Sequence, residues 1–115
     1  MGHLDLAREA DVVVVAPASA DCIAKTAHGL AGDVLGAVLL ATDAPVIMVP
    51  AMNMNMWKHA ATQANVKLLG QRGVAWVGPA EGRLACGAEG PGRMAPVVEI
   101  VDALEKIVGK KYGKK

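Results

Sequence analysis

Asp11-Val12-Val13-Val14-Val15-Ala16-Pro17-Ala18-Ser19 is the stretch on which the fold turns. Four β-branched residues in a row favour extended backbone. An apolar run without polar alternation marks a strand covered on both faces, as in parallel sheets. Pro17 is expected to stop the strand, since proline cannot donate to a ladder. The pattern recurs in Val46-Ile47-Met48-Val49, ended by Pro50, and in Val74-Ala75-Trp76-Val77, ended by Gly78-Pro79.

The segments between these runs read as helices. Residues 3–10 (HLDLAREA) suit a short helix. Ser19 is a plausible N-cap for a long helix over residues 20–41, with a break or bend near residues 29–33 because Gly29, Gly32 and Gly36 weaken it. Residues 42–45 connect to the second strand. A helix is expected over residues 60–71, ending near Gly73, and an irregular glycine-rich stretch over residues 80–92. Pro96 sits where a first helical turn tolerates it, and the last helix runs to about Val108. Strands alternating with helices predict an α/β fold: a parallel sheet flanked by helices, joined by right-handed crossovers.

Composition agrees. The 115 residues make one domain at most, and 53% of them are hydrophobic, enough for a core. Aromatic residues are only 3%, so Ala, Val and Leu must provide close helix-on-sheet packing. The domain is expected over residues 1–108, with 109–115 a basic tail or the start of a linker. A net charge of +1 creates no field toward nucleic acid or acidic lipid. There is no apolar run of about eighteen residues to span a membrane and no basic-then-apolar leader, so cytoplasmic residence is the default. Cys22 and Cys86 form neither a disulfide framework nor a metal-ligand pattern, and no metal is expected.

In parallel sheets ligands gather beyond the carboxyl ends of the strands. All three strands here run into Pro-containing polar segments at that end. In Ala16-Pro17-Ala18-Ser19-Ala20-Asp21-Cys22-Ile23-Ala24-Lys25, small residues lead into a helix N-terminus. It reads either as an ordinary Ser-capped turn or as a place where backbone N–H groups approach an anion or a polar ring edge. Pro50-Ala51-Met52-Asn53-Met54-Asn55-Met56-Trp57 sets two amide side chains between methionines. Asn53 could hold a carboxylate or carbonyl while the methionines and Trp57 wall off water. Leu84-Ala85-Cys86-Gly87-Ala88-Glu89-Gly90-Pro91-Gly92-Arg93-Met94 reads as a mobile flap carrying one thiol, which is either a small hydrophobe or an accessible reactive group. His3 is weak taken alone, being near a terminus.

Together and in this order, these strings resemble the homo-oligomeric flavin-containing cysteine decarboxylases, above all their phosphopantothenoylcysteine-specific branch. The matching strings are His3-Leu-Asp-Leu-Ala with Ala10-Asp11, the segment from Ala16 to Lys25, Pro50-Ala-Met-Asn-Met-Asn-Met-Trp57, and Ala85-Cys-Gly through Gly90-Pro-Gly-Arg-Met94. The resemblance covers about residues 3–108. It implies a Rossmann-like flavoprotein fold, about three strands of the family's sheet being present, and FMN as cofactor.

By that resemblance His3 is the active-site histidine, Asn53 the asparagine gripping the substrate carboxylate, and Cys86 the flap cysteine. Ser19, Asp21, Cys22 and Met52 fall in the part that contacts FMN. Ala85, Gly87 and Met94 join Asn53 on the substrate side. Where this chain has Asp21-Cys22 the family often has Asn-Thr. The implied reaction turns 4′-phosphopantothenoylcysteine into 4′-phosphopantetheine in coenzyme A biosynthesis. The substrate thiol is oxidised to a thioaldehyde, CO₂ leaves to give an enethiolate, and the electrons are returned with the cysteine as proton donor. A neutral amide binds a carboxylate without strongly opposing its departure, and a histidine near neutral pKa can move the thiol proton. Relatives that modify lantibiotic peptides need no such cysteine, so Cys86 points to the coenzyme A pathway.

The resemblance also implies that the chain is the C-terminal half of the family's domain. Its first strand would then have a bare edge. A truncated chain, a split protein with a partner chain supplying the N-terminal half, and self-association through that edge all remain open. So do a following ligase domain and weak FMN binding by the chain alone. Family sites form between subunits of a trimer, so a homo-oligomer is expected. The rival functions are a peptidyl-cysteine decarboxylase and a non-catalytic regulatory subunit or fragment.

Overall fold

A computed structural model of the chain describes residues 3–80 and 92–111, and the side chains of residues 5–80 and 92–109. The elements alternate as the sequence predicts: α1 (His3–Glu9), β1 (Val13–Ala18), α2 (Ala20–Ala27), α3 (Val34–Ala41), β2 (Val46–Pro50), α4 (Met54–Lys58), α5 (Ala60–Gln71), β3 (Ala75–Trp76) and α6 (Val97–Lys111). The strands form one parallel sheet in the order β1-β2-β3. Val13, Val14 and Val15 pair with Val46, Ile47 and Met48, while Ile47 and Met48 pair with Ala75 and Trp76.

The central strand β2 is the axis of the core. Its side chains alternate between two apolar layers. Met48 packs with Val15, Ala18, Ile23, Ala27 and Leu69, beneath α2 and α5. Ile47 and Val49 face the other way, against Ala95 and the α6 stripe Ile100, Leu104 and Ile107. That stripe has the i, i+4, i+7 spacing of one helix face. Ile47, Met48 and Val49 are wholly buried.

Four local expectations need correction. Strand β1 does not stop at Pro17 but runs to Ala18, with a register irregularity between Val15 and Ala18. A bulge is where a strand accommodates a residue that cannot donate. Nor is β1 covered on both faces: Val14, Ala16 and Pro17 are exposed, and among the described residues β1 pairs with β2 alone. The expected helix over residues 20–41 is two helices. The first ends at His28 and Gly29 (φ +70°), and the second begins where the Asp33 carboxylate accepts the Gly36 N–H at 2.7 Å. The last helix reaches Lys111, three residues beyond the predicted end, and starts after Pro96, whose carbonyl accepts the Glu99 and Ile100 amides.

Long-range polar contacts fasten the helices. The Thr42 hydroxyl donates to the Ala7 carbonyl and accepts the Ala44 amide, tying α1 to the α3–β2 connector. Arg72 donates to the Ala27 carbonyl at 2.8 Å, joining the ends of α5 and α2. No helix among the described residues is long and apolar enough to cross a membrane.

Candidate active site

The carboxyl ends of the strands bring the three predicted segments together. Ala18 at the end of β1 lies beside Pro50 at the end of β2, and the Ala51 amide donates to the Ala18 carbonyl at 3.1 Å. The Ser19 turn and the Asn53 loop therefore share one floor. The third segment joins through backbone alone. The Met52 amide donates to the Gly92 carbonyl at 2.8 Å, and the Ala80 amide to the Arg93 carbonyl at 2.7 Å.

Ser19 caps α2: its hydroxyl accepts the Cys22 amide at 3.0 Å, and its carbonyl accepts the Ile23 amide. The amides of Ala20 and Asp21, ahead of the first intrahelical bond, are left as donors. A cavity of about 220 Å³ adjoins this turn, lined by Ser19, Asp21, Cys22, Lys25, Asp33 and Leu39 among others. Asp21 pairs with Lys25 at 3.0 Å, and the carboxylate holds the lysine pKa above its ordinary value. Burial pushes the Cys22 thiol pKa up, only partly offset by a hydrogen bond from Thr26, so Cys22 is a neutral thiol near pH 7. It packs at the core's margin beside Met52.

Asn53 is the N-cap of α4, a helix the sequence reading did not anticipate. Its Oδ1 accepts the amides of Asn55 at 2.7 Å and Met56 at 3.3 Å. Both acceptor positions of the carboxamide are thereby occupied, so its NH₂ group is what it offers outward. Asn53 is exposed, as is Met56 at 48%, whereas Met52, Met54 and Trp57 are half-buried. The expected wall of methionines around Asn53 is thus not closed within this chain.

The remaining predicted residues are distributed unevenly. Met94 is exposed, next to the buried Ala95. His3 opens α1, but its side chain lies outside the described residues, and so do Ala85, Cys86 and Gly87. Two positions were not singled out from sequence. Asp33 had a usable signal, an acidic residue just before the apolar run of α3. Gly92 had none, being one glycine among several.

The donors fit a flavin in type: backbone amides at a helix N-terminus, a serine and an adjoining half-apolar cavity. Among the described residues no cluster of three or more His, Cys, Asp or Glu side chains is placed to hold a metal. A parallel sheet with donors gathered at its carboxyl edge defines the class as a nucleotide- or flavin-binding α/β protein.

The chain belongs to the Flavoprotein family, whose model matches residues 1–109. It is 50% identical over 102 residues to the coenzyme A biosynthesis bifunctional protein CoaBC of Escherichia coli strain K12, covering 89% of this chain and 25% of that protein. The corresponding protein of Vibrio vulnificus strain YJ016 is 48% identical over 106 residues, 92% of this chain and 26% of the relative. The chain thus spans about a quarter of the length of these relatives. Among solved structures, a PPC decarboxylase mutant complexed with pantothenoylaminoethenethiol superposes with a TM-score of 0.79 at 36% identity. It is matched over 89% of this chain and 58% of its own. The neighbours share the Rossmann-like flavoprotein fold.

Proposed function

We propose that this chain is part of an FMN-dependent carboxy-lyase that decarboxylates 4′-phosphopantothenoylcysteine to 4′-phosphopantetheine. The observation that carries the reading is Asn53. Its oxygen is held by α4 and its NH₂ faces out beside the α2 N-terminus, which suits it to grip a carboxylate. Relatives named for coenzyme A biosynthesis and a PPC decarboxylase among the structural neighbours support the substrate. A neighbour described as an FMN binding protein, 37% identical with a TM-score of 0.78, supports the cofactor.

Ser19, the Ala20 and Asp21 amides, Cys22 and Met52 would hold FMN, which when bound supplies the exchange of electrons with the substrate thiol. Asn53 orients the carboxylate through neutral donors, so no fixed positive charge opposes loss of CO₂. His3 would move the thiol proton and Cys86 would return one to the product, with Ala85, Gly87 and Met94 beside the substrate. Helix α3 (VLGAVLLA) has no buried residue, and Val34, Leu35 and Leu40 are exposed. This all-apolar surface supports an assembly of several copies. The bare edge of β1 supports further strands, on this polypeptide or another, completing the sheet.

Titrating FMN into the protein while following flavin absorbance tests the cofactor assignment. Saturation near one flavin per chain, weakened by Ser19→Ala, is expected. Failure of the assembled protein to take up any flavin would overturn it.

A further inference from the structure

We infer that Gly92 is a positioning residue for Asn53, acting through the Met52 backbone. This rests on the assignment of Asn53 to the substrate carboxylate. Gly92 is buried, has φ +139°, and its carbonyl receives the Met52 amide. A Cβ on Gly92 would lie 2.4 Å from the Met52 carbonyl oxygen and 3.4 Å from the Met54 amide nitrogen. Those atoms flank Asn53 on both sides. The close approach is backbone against backbone, so no side chain can swing away to admit a methyl group. Through the Ala80–Arg93 bridge, the same anchor joins the Asn53 loop to the end of β3. Gly92 therefore fixes the direction in which the Asn53 NH₂ is presented.

The test compares Gly92→Ala with Gly73→Ala in the flavin-loaded protein. Gly73 also has a positive φ, +99°, but a Cβ there meets nothing within 4 Å. Backbone strain is common to both variants; pressure on Met52 belongs to Gly92 alone. Affinities are measured for 4′-phosphopantothenoylcysteine and for 4′-phosphopantetheine, which lacks the carboxylate. Their ratio on one preparation does not depend on the fraction folded.

Gly92→Ala is expected to weaken substrate relative to product by roughly tenfold to a hundredfold, the worth of a hydrogen bond to a charged group. Gly73→Ala should leave the ratio unchanged, and Gly92→Ala should add nothing to Asn53→Ala. A wild-type ratio in Gly92→Ala, with Asn53→Ala altered, overturns the inference alone. An unaltered ratio in Asn53→Ala overturns the parent reading and this inference with it. Hydrogen exchange on the unmodified protein gives a check that needs no variant: the Met52 amide should be protected before substrate is added, and free exchange there would overturn the clamp.

Discussion

Asn53 has two separable jobs, and two substitutions tell them apart. Its Oδ1 caps α4 through the Asn55 and Met56 amides at 2.7 and 3.3 Å. Its NH₂ is assigned to the substrate. Asn53→Ala removes both. Loss of an N-cap costs about 0.5–2 kcal/mol, and the exposed, five-residue α4 places this site near 1 kcal/mol or below. Asn53→Asp keeps the acceptor and puts a negative charge at a helix N-terminus, so stability should hold or rise by a few tenths of a kcal/mol. It removes both N–H donors, however, and sets a carboxylate against the substrate's own. A charge-assisted hydrogen bond is worth about 1.5–3 kcal/mol, which converts to roughly tenfold to a hundredfold in kcat/KM before repulsion is counted. Thermal unfolding and steady-state decarboxylation of both variants, with flavin content as control, form the assay. The aspartate variant should melt like the parent and lose at least as much activity as the alanine variant. An aspartate variant with near-parental kcat/KM would show that Asn53 is a cap and nothing more.

Gly36→Ala should destabilise the fold by about 1–3 kcal/mol, the usual range for overpacking. Its Cβ would fall 2.6 Å from the Leu30 carbonyl oxygen and 3.0 Å from the Ala31 Cα, while Gly32→Ala, with open space, should be nearly neutral in the same denaturant titration. Ile47→Ala should cost about 2–5 kcal/mol, because Ile47 is fully buried in the central strand. Cys22 should resist alkylation at neutral pH and react only above the usual thiol range, as peptide mapping across pH would report. Its folded pKa lies above the unfolded value. Its contribution to stability is therefore complete below the unfolded pKa and lost as pH rises through the folded one.

The three apolar runs and the helices between them were legible because β2 is buried on both faces and its pattern says so directly. β1 was harder. Val12 to Val15 carry the apolar character of a doubly covered strand, yet Val14 is 36% exposed, since the described chain covers only one of its faces. A sequence pattern records burial in the assembly that the strand serves, not in the chain taken alone. Pro17 misled for a different reason: proline forbids a ladder donor but not extended backbone, and the irregularity before Ala18 absorbs it. At the site, Ser19 and Asn53 stood out by residue type. The capping of α4 by Asn53 did not, because an asparagine after a strand reads alike as turn, cap or ligand. Gly92 was hidden because its role lies in the space it leaves beside Met52, a residue forty positions earlier.

The most direct test of the central claim is incubation of the FMN-loaded protein with 4′-phosphopantothenoylcysteine and, separately, with a peptide ending in cysteine, following CO₂ and the sulfur product by mass spectrometry. The account predicts CO₂ and the saturated thiol 4′-phosphopantetheine from the first substrate and no turnover of the peptide. Turnover of the peptide alone, or of neither by flavin-saturated protein, would contradict it.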